Sequence, residues 1–249
     1  QIPPGRRPRL KLTAFPPELR TMIVVPAMIT SRRRVEELVD DLEVRFLGNR
    51  HANLHFALLT DFADADAPAV PADDGLVAQA RDGIDQLNAR YGGGRFFLFH
   101  RERRWNAAER RWMGWERKRG KLVEFNRLLR GAADTRFTVT HGDLAPLPGV
   151  RYVITLDPDT QLPMDAAAQL IGTLAHPLNK PRFDPVRGRV TEGYGVLQPA
   201  VVVDLVSANR TSFAKIFSGH VGIDPYTTAV SDVYQDVFHE GSYVGKGIY

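Results

Sequence analysis

Cysteine is absent from this 249-residue chain. That excludes a disulfide scaffold, a thiolate metal site and a cysteine nucleophile. The remaining metal ligands are carboxylates and seven histidines. Long hydrophobic runs are missing as well. The longest, residues 22–29, contains Pro26 and falls far short of the roughly 20 residues that cross a bilayer. The basic, proline-rich start, residues 1–11, has no apolar core of a secretory signal. There is no initiator methionine, and the chain reads as a piece excised from a longer protein. A large charge excess is also lacking: 33 Lys and Arg against 29 Asp and Glu leave +4. This excludes a histone-like nucleic-acid binder while allowing a local basic site. Scans for His-Glu-x-x-His, Gly-x-Ser-x-Gly, an EF-type calcium loop and a dinucleotide glycine fingerprint all fail.

What is present is enough apolar material, 43% of residues, to bury a core. Residues 21–29 are rich in β-formers and read as a buried strand. Thr30 or Ser31 offers a helix N-cap, and Val35, Leu38, Val39, Leu42 and Phe46 follow at helical spacing until Gly48-Asn49. Residues 54–60 form a second strand, so the segment is a βαβ unit with a right-handed crossover. A helix from Leu76 to Tyr91, a strand at 95–99, a helix carrying Leu122 to Leu129, a strand at 152–156 and a helix at 166–175 continue the alternation. A further strand is expected at 196–203, and residues 101–119 read as a basic loop. The pattern predicts an α/β, Rossmann-like three-layer sandwich with a mainly parallel central sheet. Ligands of such sheets bind at the carboxyl ends of the strands.

The strand at 152–156 runs into Asp157-Pro158-Asp159-Thr160. Two carboxylates one residue apart at a strand end can hold a hard divalent ion that bridges nucleotide phosphates, or can simply cap a turn. Asp64-Ala65-Asp66 repeats the pattern in a Pro/Ala loop and reads as mostly solvated. Asp61, closing the second strand, can accept hydrogen bonds from a base or ribose, or serve as a turn residue. The window 101–121 holds nine basic residues, three acids and all three tryptophans, Trp105, Trp112 and Trp115. It suits single-stranded nucleic acid or a nucleotide diphosphate with its sugar. A purely solvated loop is discounted because three tryptophans are costly to expose. Residues 114–121 imitate a P-loop with the wrong glycine spacing and Leu122 in place of Ser or Thr, yet Lys121 beside a helix start suits an anion. Residues 213–249 alternate polar with aromatic groups, as a carbohydrate groove or an irregular cap would.

Four stretches together carry a resemblance: Trp112-Met-Gly-Trp-Glu-Arg-Lys-Arg-Gly-Lys-Leu122, Asn126-Arg-Leu-Leu-Arg-Gly131, Tyr152-Val-Ile-Thr-Leu-Asp-Pro-Asp-Thr160, and Ser231-Asp-Val-Tyr-Gln-Asp236 through Glu240-Gly-Ser-Tyr-Val-Gly-Lys-Gly-Ile-Tyr249. They resemble the glycosyltransferase region of cyclic β-1,2-glucan synthases, of the family 84 kind, over residues 20–249. More distantly the layout is similar to processive transferases of the cellulose synthase kind. Residues 1–20 read as an N-terminal linker, and the resemblance implies a GT-A domain over 21–249. It also implies UDP-glucose as donor, Mg²⁺ or Mn²⁺ as cofactor, and inverting transfer onto a growing β-1,2-glucan. It places the domain at the cytoplasmic face of the bacterial inner membrane, as part of a larger membrane-bound synthase, with no nucleic-acid partner.

Carried over by position, Asp61 holds the uracil or ribose, and Lys121 and Asn126 lie near the donor with Lys121 at the diphosphate. Asp157 contacts donor and metal, and Asp159 binds the metal. Trp115, Gln198, Glu240, Gly241 and Ser242 line the acceptor side. Inverting transfer needs a carboxylate to deprotonate the attacking hydroxyl. In transferases of this type that acid follows the segment matching 241–248, so it is expected beyond Tyr249, with Asp232 and Glu240 as substitutes within the chain. Two other readings compete: a nucleic-acid module built on the 101–121 window, and a non-catalytic nucleotide-sugar-binding fragment.

Overall fold

The computed structural model describes residues 7–199 and 247–249. In chain order the elements are β1 (Thr21–Ile29), α1 (Arg32–Gly48), β2 (Leu54–Phe62), α2 (Asp73–Tyr91), β3 (Phe96–Arg101), β4 (Arg104–Asn106), β5 (Arg111–Met113), α3 (Arg117–Leu129), β6 (Phe137–His141), β7 (Tyr152–Thr155), α4 (Ala166–Leu174), β8 (Arg182–Asp184), β9 (Arg189–Glu192) and β10 (Gly247–Ile248). Six strands form one sheet in the order β10-β7-β1-β2-β3-β6. The inner four are parallel, and β6 and β10 close the edges antiparallel. This is the Rossmann-like three-layer arrangement expected of an alternating β/α chain.

The period-2 geometry of a strand sends alternate side chains to opposite layers. Ile23, Val25, Phe56, Leu58 and Leu98 face a core shared with α1, α2 and α4. Met22, Val24, Ala57, Leu59, Phe97 and Phe99 face a second core around Phe125 of α3. Ser31 is the N-cap of α1, its hydroxyl accepting from the Arg34 N–H. Asn49 ends that helix and is wholly buried. Its Nδ2 donates to the Arg45 and Pro163 carbonyls and its Oδ1 accepts from the Ala167 N–H, which ties α1 to α4.

Pro26 lies inside a central strand, where a missing N–H ordinarily breaks a ladder. The ladder from β1 to β7 stops at Val24. The Val24 carbonyl accepts from Leu156 N–H, so residues of its parity face β7. Pro26 therefore faces the side where pairing has ended, and β1 and β7 diverge beyond it. This is also where the chain's connections change direction, β1 leading to β2 on one side while β7 returns on the other. Such a switch point leaves a crevice.

Several expectations need correction. β2 and β3 run on through Asp61-Phe62 and His100-Arg101, so Asp61 is a strand residue and not a turn residue. Residues 101–119 are not a loop: they hold the β4–β5 hairpin and the first residues of α3. Lys121 consequently sits beyond the helix start. Asp64 is not mostly solvated, since it pairs with Arg117 at 2.8 Å. The edge strand β6 and the exposed hairpin β8–β9 had no counterpart in the sequence reading. Of the strand expected at 196–203, Leu197 forms a bridge to Ile248, and residues from 200 lie outside the described residues. Residues 9–19 lie against the body of the domain. Leu10 N–H donates to the Gly172 carbonyl, Arg9 donates to Gln169, and Phe15 is buried.

Candidate functional site at the carboxyl ends of the strands

The α3-facing rows of β2 and β3 are apolar over the two positions before their last members. Ala57 and Leu59 lead to Asp61, and Phe97 and Phe99 lead to Arg101. The two registered residues pair: Arg101 Nε donates to Asp61 Oδ1 and Nη2 to Oδ2, both at 2.8 Å. Lys121, from α3, places its ammonium 3.1 Å from Asp61 Oδ2 and donates to the Ala27 carbonyl at 2.6 Å. All three side chains are under 5% exposed. A fork–fork guanidinium–carboxylate pair with a second cation is the arrangement that makes such burial tolerable. Burial lowers the Lys121 pKa, and the Asp61 charge opposes that. Behind the pair, on the other face of the sheet, His100 bonds Thr60 at 2.9 Å through Nδ1; burial lowers its pKa to about 4.

The glycines of the 112–122 motif have steric reasons. A Cβ on Gly114 would lie 2.3 Å from Asp61 Oδ2, and one on Gly120 would lie 2.0 Å from the Trp115 carbonyl oxygen. Gly114 lets the backbone lie on the buried carboxylate, and Gly120 lets the first turn of α3 close against Trp115. Between them Glu116 and Arg117 hold left-handed φ values of 51° and 45°. That conformation is uncommon for such residues and persists only where surrounding contacts over-determine it. Here Arg101 Nη2 holds the loop by donating to the Trp115 and Arg117 carbonyls.

Asp157 follows β7 at the switch point and is partly exposed. Lys118, one helical turn before Lys121, pairs with its Oδ1 at 2.5 Å. Asp159 is exposed and accepts from the Thr160 hydroxyl. The loop that carries both aspartates is fastened from beneath by Arg45 of α1, which is 1% exposed. Its Nη2 donates to the Pro158 and Thr160 carbonyls at 2.8 and 2.9 Å, and its Nε donates to Thr160 at 3.2 Å. Burial lowers the Arg45 pKa, against the opposing charges of Asp41 and Asp159. No group of three or more His, Asp or Glu side chains able to hold a metal occurs among the described residues. Asp157 and Asp159 alone would leave a divalent ion several coordination positions for phosphate oxygens and water, the habit of Mg²⁺ at nucleotide sites. In this structure Asp157 pairs with a cation, the Lys118 ammonium.

The structure thus brings Asp61, Lys121, Asp157 and Asp159 to one end of the sheet. Asn126, in the same helix as Lys121, is half-buried beside Tyr249, whose phenol is raised by burial and lowered by the nearby Asn126 and Thr155. Trp115 lies on the hairpin side of the 114–118 loop, and Gln198 is an exposed residue next to the Leu197–Ile248 bridge. Asp232, Glu240, Gly241 and Ser242 lie outside the described residues. Arg45, Arg101 and Lys118 were not anticipated. Arg101 was within reach, because extending the alternation of Phe97 and Phe99 by one step puts it beside Asp61. Lys118 was signalled by its spacing of three from Lys121. Arg45 had no signal beyond a cation on the apolar stripe of α1, between Leu42 and Phe46.

No family model matches the chain. It is 48% identical, over 242 residues and 96% of its length, to the cyclic beta-(1,2)-glucan synthase NdvB of Rhizobium meliloti (strain 1021). The chain spans about 8% of that protein's own length. Identity at this level over nearly the whole chain shows the family. The chain belongs to the cyclic β-1,2-glucan synthase family.

Proposed function

We propose that this chain is the GT-A donor-binding domain of a glycosyltransferase that moves glucose from UDP-glucose, with inversion, onto a growing β-1,2-glucan. The reading is carried by one observation. The paired aspartates 157 and 159, Lys118 and the Asp61–Arg101–Lys121 cluster meet at the carboxyl ends of parallel strands, at the switch point, in a chain of this family.

Asp157 and Asp159 would hold Mg²⁺ or Mn²⁺. That ion would neutralise charge building on the leaving diphosphate. Lys118, with its side chain 34% exposed, presents the ammonium that a diphosphate at this place would meet, at the positive end of α3. Lys121, 4% exposed, is committed to Asp61 and the Ala27 carbonyl. In this reading Lys121 and Asp61 keep the α3 turn and the strand ends rigid around the donor. Asn126 and Gln198 extend the same end of the sheet. Preorganised charge of this kind supports transfer by stabilising the departing group without reorganisation. The base for the acceptor hydroxyl is left without an assigned residue.

No helix among the described residues is long and apolar enough to cross a membrane. Association with the inner membrane is proposed for the longer synthase of which this domain would be part. The test is calorimetric titration of UDP and UDP-glucose with and without Mn²⁺. Binding should require the ion, and Asp159→Ala should abolish that requirement along with most of the affinity. Ion-independent binding, or none by a folded chain, would overturn the assignment.

A further inference from the structure

Beyond the donor site the β4–β5 hairpin and the 114–117 loop enclose an open cavity of about 650 Å³. This is within the roughly 300–1,000 Å³ of small-molecule sites. Its walls include Trp105, Trp115, Asn106, Glu109, Arg117 and Arg136. Trp105 is 53% and Trp115 39% exposed, so both indoles present area to the cavity and to solvent. Arg136 lies 4.7 Å over the Trp115 ring and fixes its plane. Trp105 leans on Trp112 at 5.9 Å across the hairpin. The indoles are therefore held in place by neighbours while exposed, which is how a protein keeps a stacking surface ready for a ligand.

The charges decide what kind of ligand. Of the three arginines that line the cavity, Arg104, Arg117 and Arg136, the last two have acidic partners in the fold, so little free positive charge is left for a polyanion. Arg117 pairs with Asp64 at 2.8 Å and Glu109 at 3.0 Å, and Arg136 lies 3.9 Å from Glu124. Two carboxylates, Glu109 and Glu116, also line the walls. A nucleic-acid groove needs cations available to phosphates and aromatics clear of acids. A protein-docking groove needs aliphatic surface, which is scarce here. Oriented polar groups with balanced charge around indole faces suit a neutral polyhydroxyl ligand. Its C–H faces stack, and its hydroxyls take both donors and acceptors. The cavity shares the 114–118 segment with the donor site. Trp115 and Arg117 line the cavity, and Lys118 reaches Asp157.

We infer that this hairpin cavity is a glucan-binding subsite, separate from the donor site, that holds glucose units of the acceptor or product chain on Trp105 and Trp115. The inference rests on the proposed transfer of glucose to a β-1,2-glucan. It predicts that linear β-1,2-gluco-oligosaccharides of several units bind the domain without UDP or metal. All three tryptophans lie in residues 105–115, and Trp105 and Trp115 line the cavity, so intrinsic fluorescence reports on this hairpin segment.

The experiment is a fluorescence titration of the chain with such oligosaccharides at low and high salt, repeated with Trp105→Ala and Trp105→Phe, alongside UDP–Mn²⁺ calorimetry on each. The expected result is a saturable, salt-insensitive change that Trp105→Ala weakens about five- to tenfold and Trp105→Phe largely restores, with UDP–Mn²⁺ affinity equal in all three. Unchanged fluorescence in a chain that still binds UDP–Mn²⁺ would overturn the subsite and leave the donor reading intact. Saccharide binding without any UDP binding would uphold the subsite and overturn the donor reading. A steeply salt-dependent response to a single-stranded oligonucleotide, with none to saccharide, would assign the cavity to nucleic acid instead.

Discussion

Arg45→Met is the substitution that best separates fold from function in this domain. Methionine fills nearly the same space within α1 but donates nothing. The wild-type guanidinium makes three contacts to two carbonyls of the aspartate loop, Pro158 and Thr160. Hydrogen bonds from a charged donor contribute about 1.5–3 kcal/mol per satisfied group, so the two carbonyls together lose about 3–6 kcal/mol. Part of that is offset in the variant. The guanidinium is desolvated, and its Nη1 is buried with no hydrogen-bond partner. Relief of one such buried orphan is worth about 1–3 kcal/mol. These ranges leave a net destabilisation of about 0–5 kcal/mol, centred on about 2.5 kcal/mol, which corresponds to a fall in Tm of roughly 5–10 °C for a domain of this size. The larger effect should be on binding. If Asp157 and Asp159 hold a cation and diphosphate as proposed, a loop whose backbone is released must be ordered again at each binding event. We expect the UDP–Mn²⁺ Kd to rise at least about tenfold, equivalent to about 1.4 kcal/mol. Arg45→Lys, which keeps a charge but only a single-point donor, should recover part of the affinity. The assay is calorimetry at a temperature where circular dichroism shows each variant folded. A folded Arg45→Met chain that binds UDP–Mn²⁺ as tightly as the wild type would refute the reasoning, because the loop would then be set by something other than the guanidinium beneath it.

Other outcomes follow from the same geometry. Asp61→Asn leaves Arg101 and Lys121 buried without a counter-charge and should cost about 3–5 kcal/mol in urea unfolding; a loss below about 1 kcal/mol would mean that Asp61 is not their anchor. His100, lowered by burial from 6.5 to about 4, stays neutral in the folded chain where the unfolded chain takes up a proton. Stability should therefore fall as pH drops from about 6.5 to about 4 and level off below, by about 3 kcal/mol from this group, with His55, also lowered by burial, adding in the same direction. His100→Gln should flatten that dependence in urea midpoints measured between pH 7 and pH 4. Gly120→Ala puts a Cβ 2.0 Å from the Trp115 carbonyl oxygen and should displace the first turn of α3, costing at least about 1–3 kcal/mol. Tryptophan emission should shift with it, and an unchanged spectrum and Tm would contradict the close approach.

The inner sheet was legible because its strands are buried on both faces, so their apolar runs are unbroken. Residues 21–29 read as a strand and form β1 to the residue. Legibility failed where burial is one-sided or absent. In β6, Phe137 is buried while Thr138 and Thr140 are exposed, so no apolar run announces it. The strands of the β4–β5 hairpin are three residues each, Arg-Trp-Asn and Arg-Trp-Met, and they are held by backbone pairing that leaves no mark on hydrophobicity. β2 and β3 were read two residues short for a related reason: a hydropathy signal ends at the first charge, whereas a backbone ladder does not.

That shortfall coincides with the site. Asp61 and Arg101 look like termini in isolation, each a charge that burial would penalise heavily. They are tolerated inside the sheet because parallel register puts them opposite one another and α3 brings Lys121 over both. The cost of burying each depends on the other two, a coupling no local reading can carry. The same holds for Arg45, whose two carbonyl partners lie more than 110 residues along the chain. The aspartates 157 and 159 were visible because their signal is local, two acids at a strand end. The groups that hold them in place were not, because a preorganised site is built from long-range contacts by residues that look, one at a time, like ordinary surface charges.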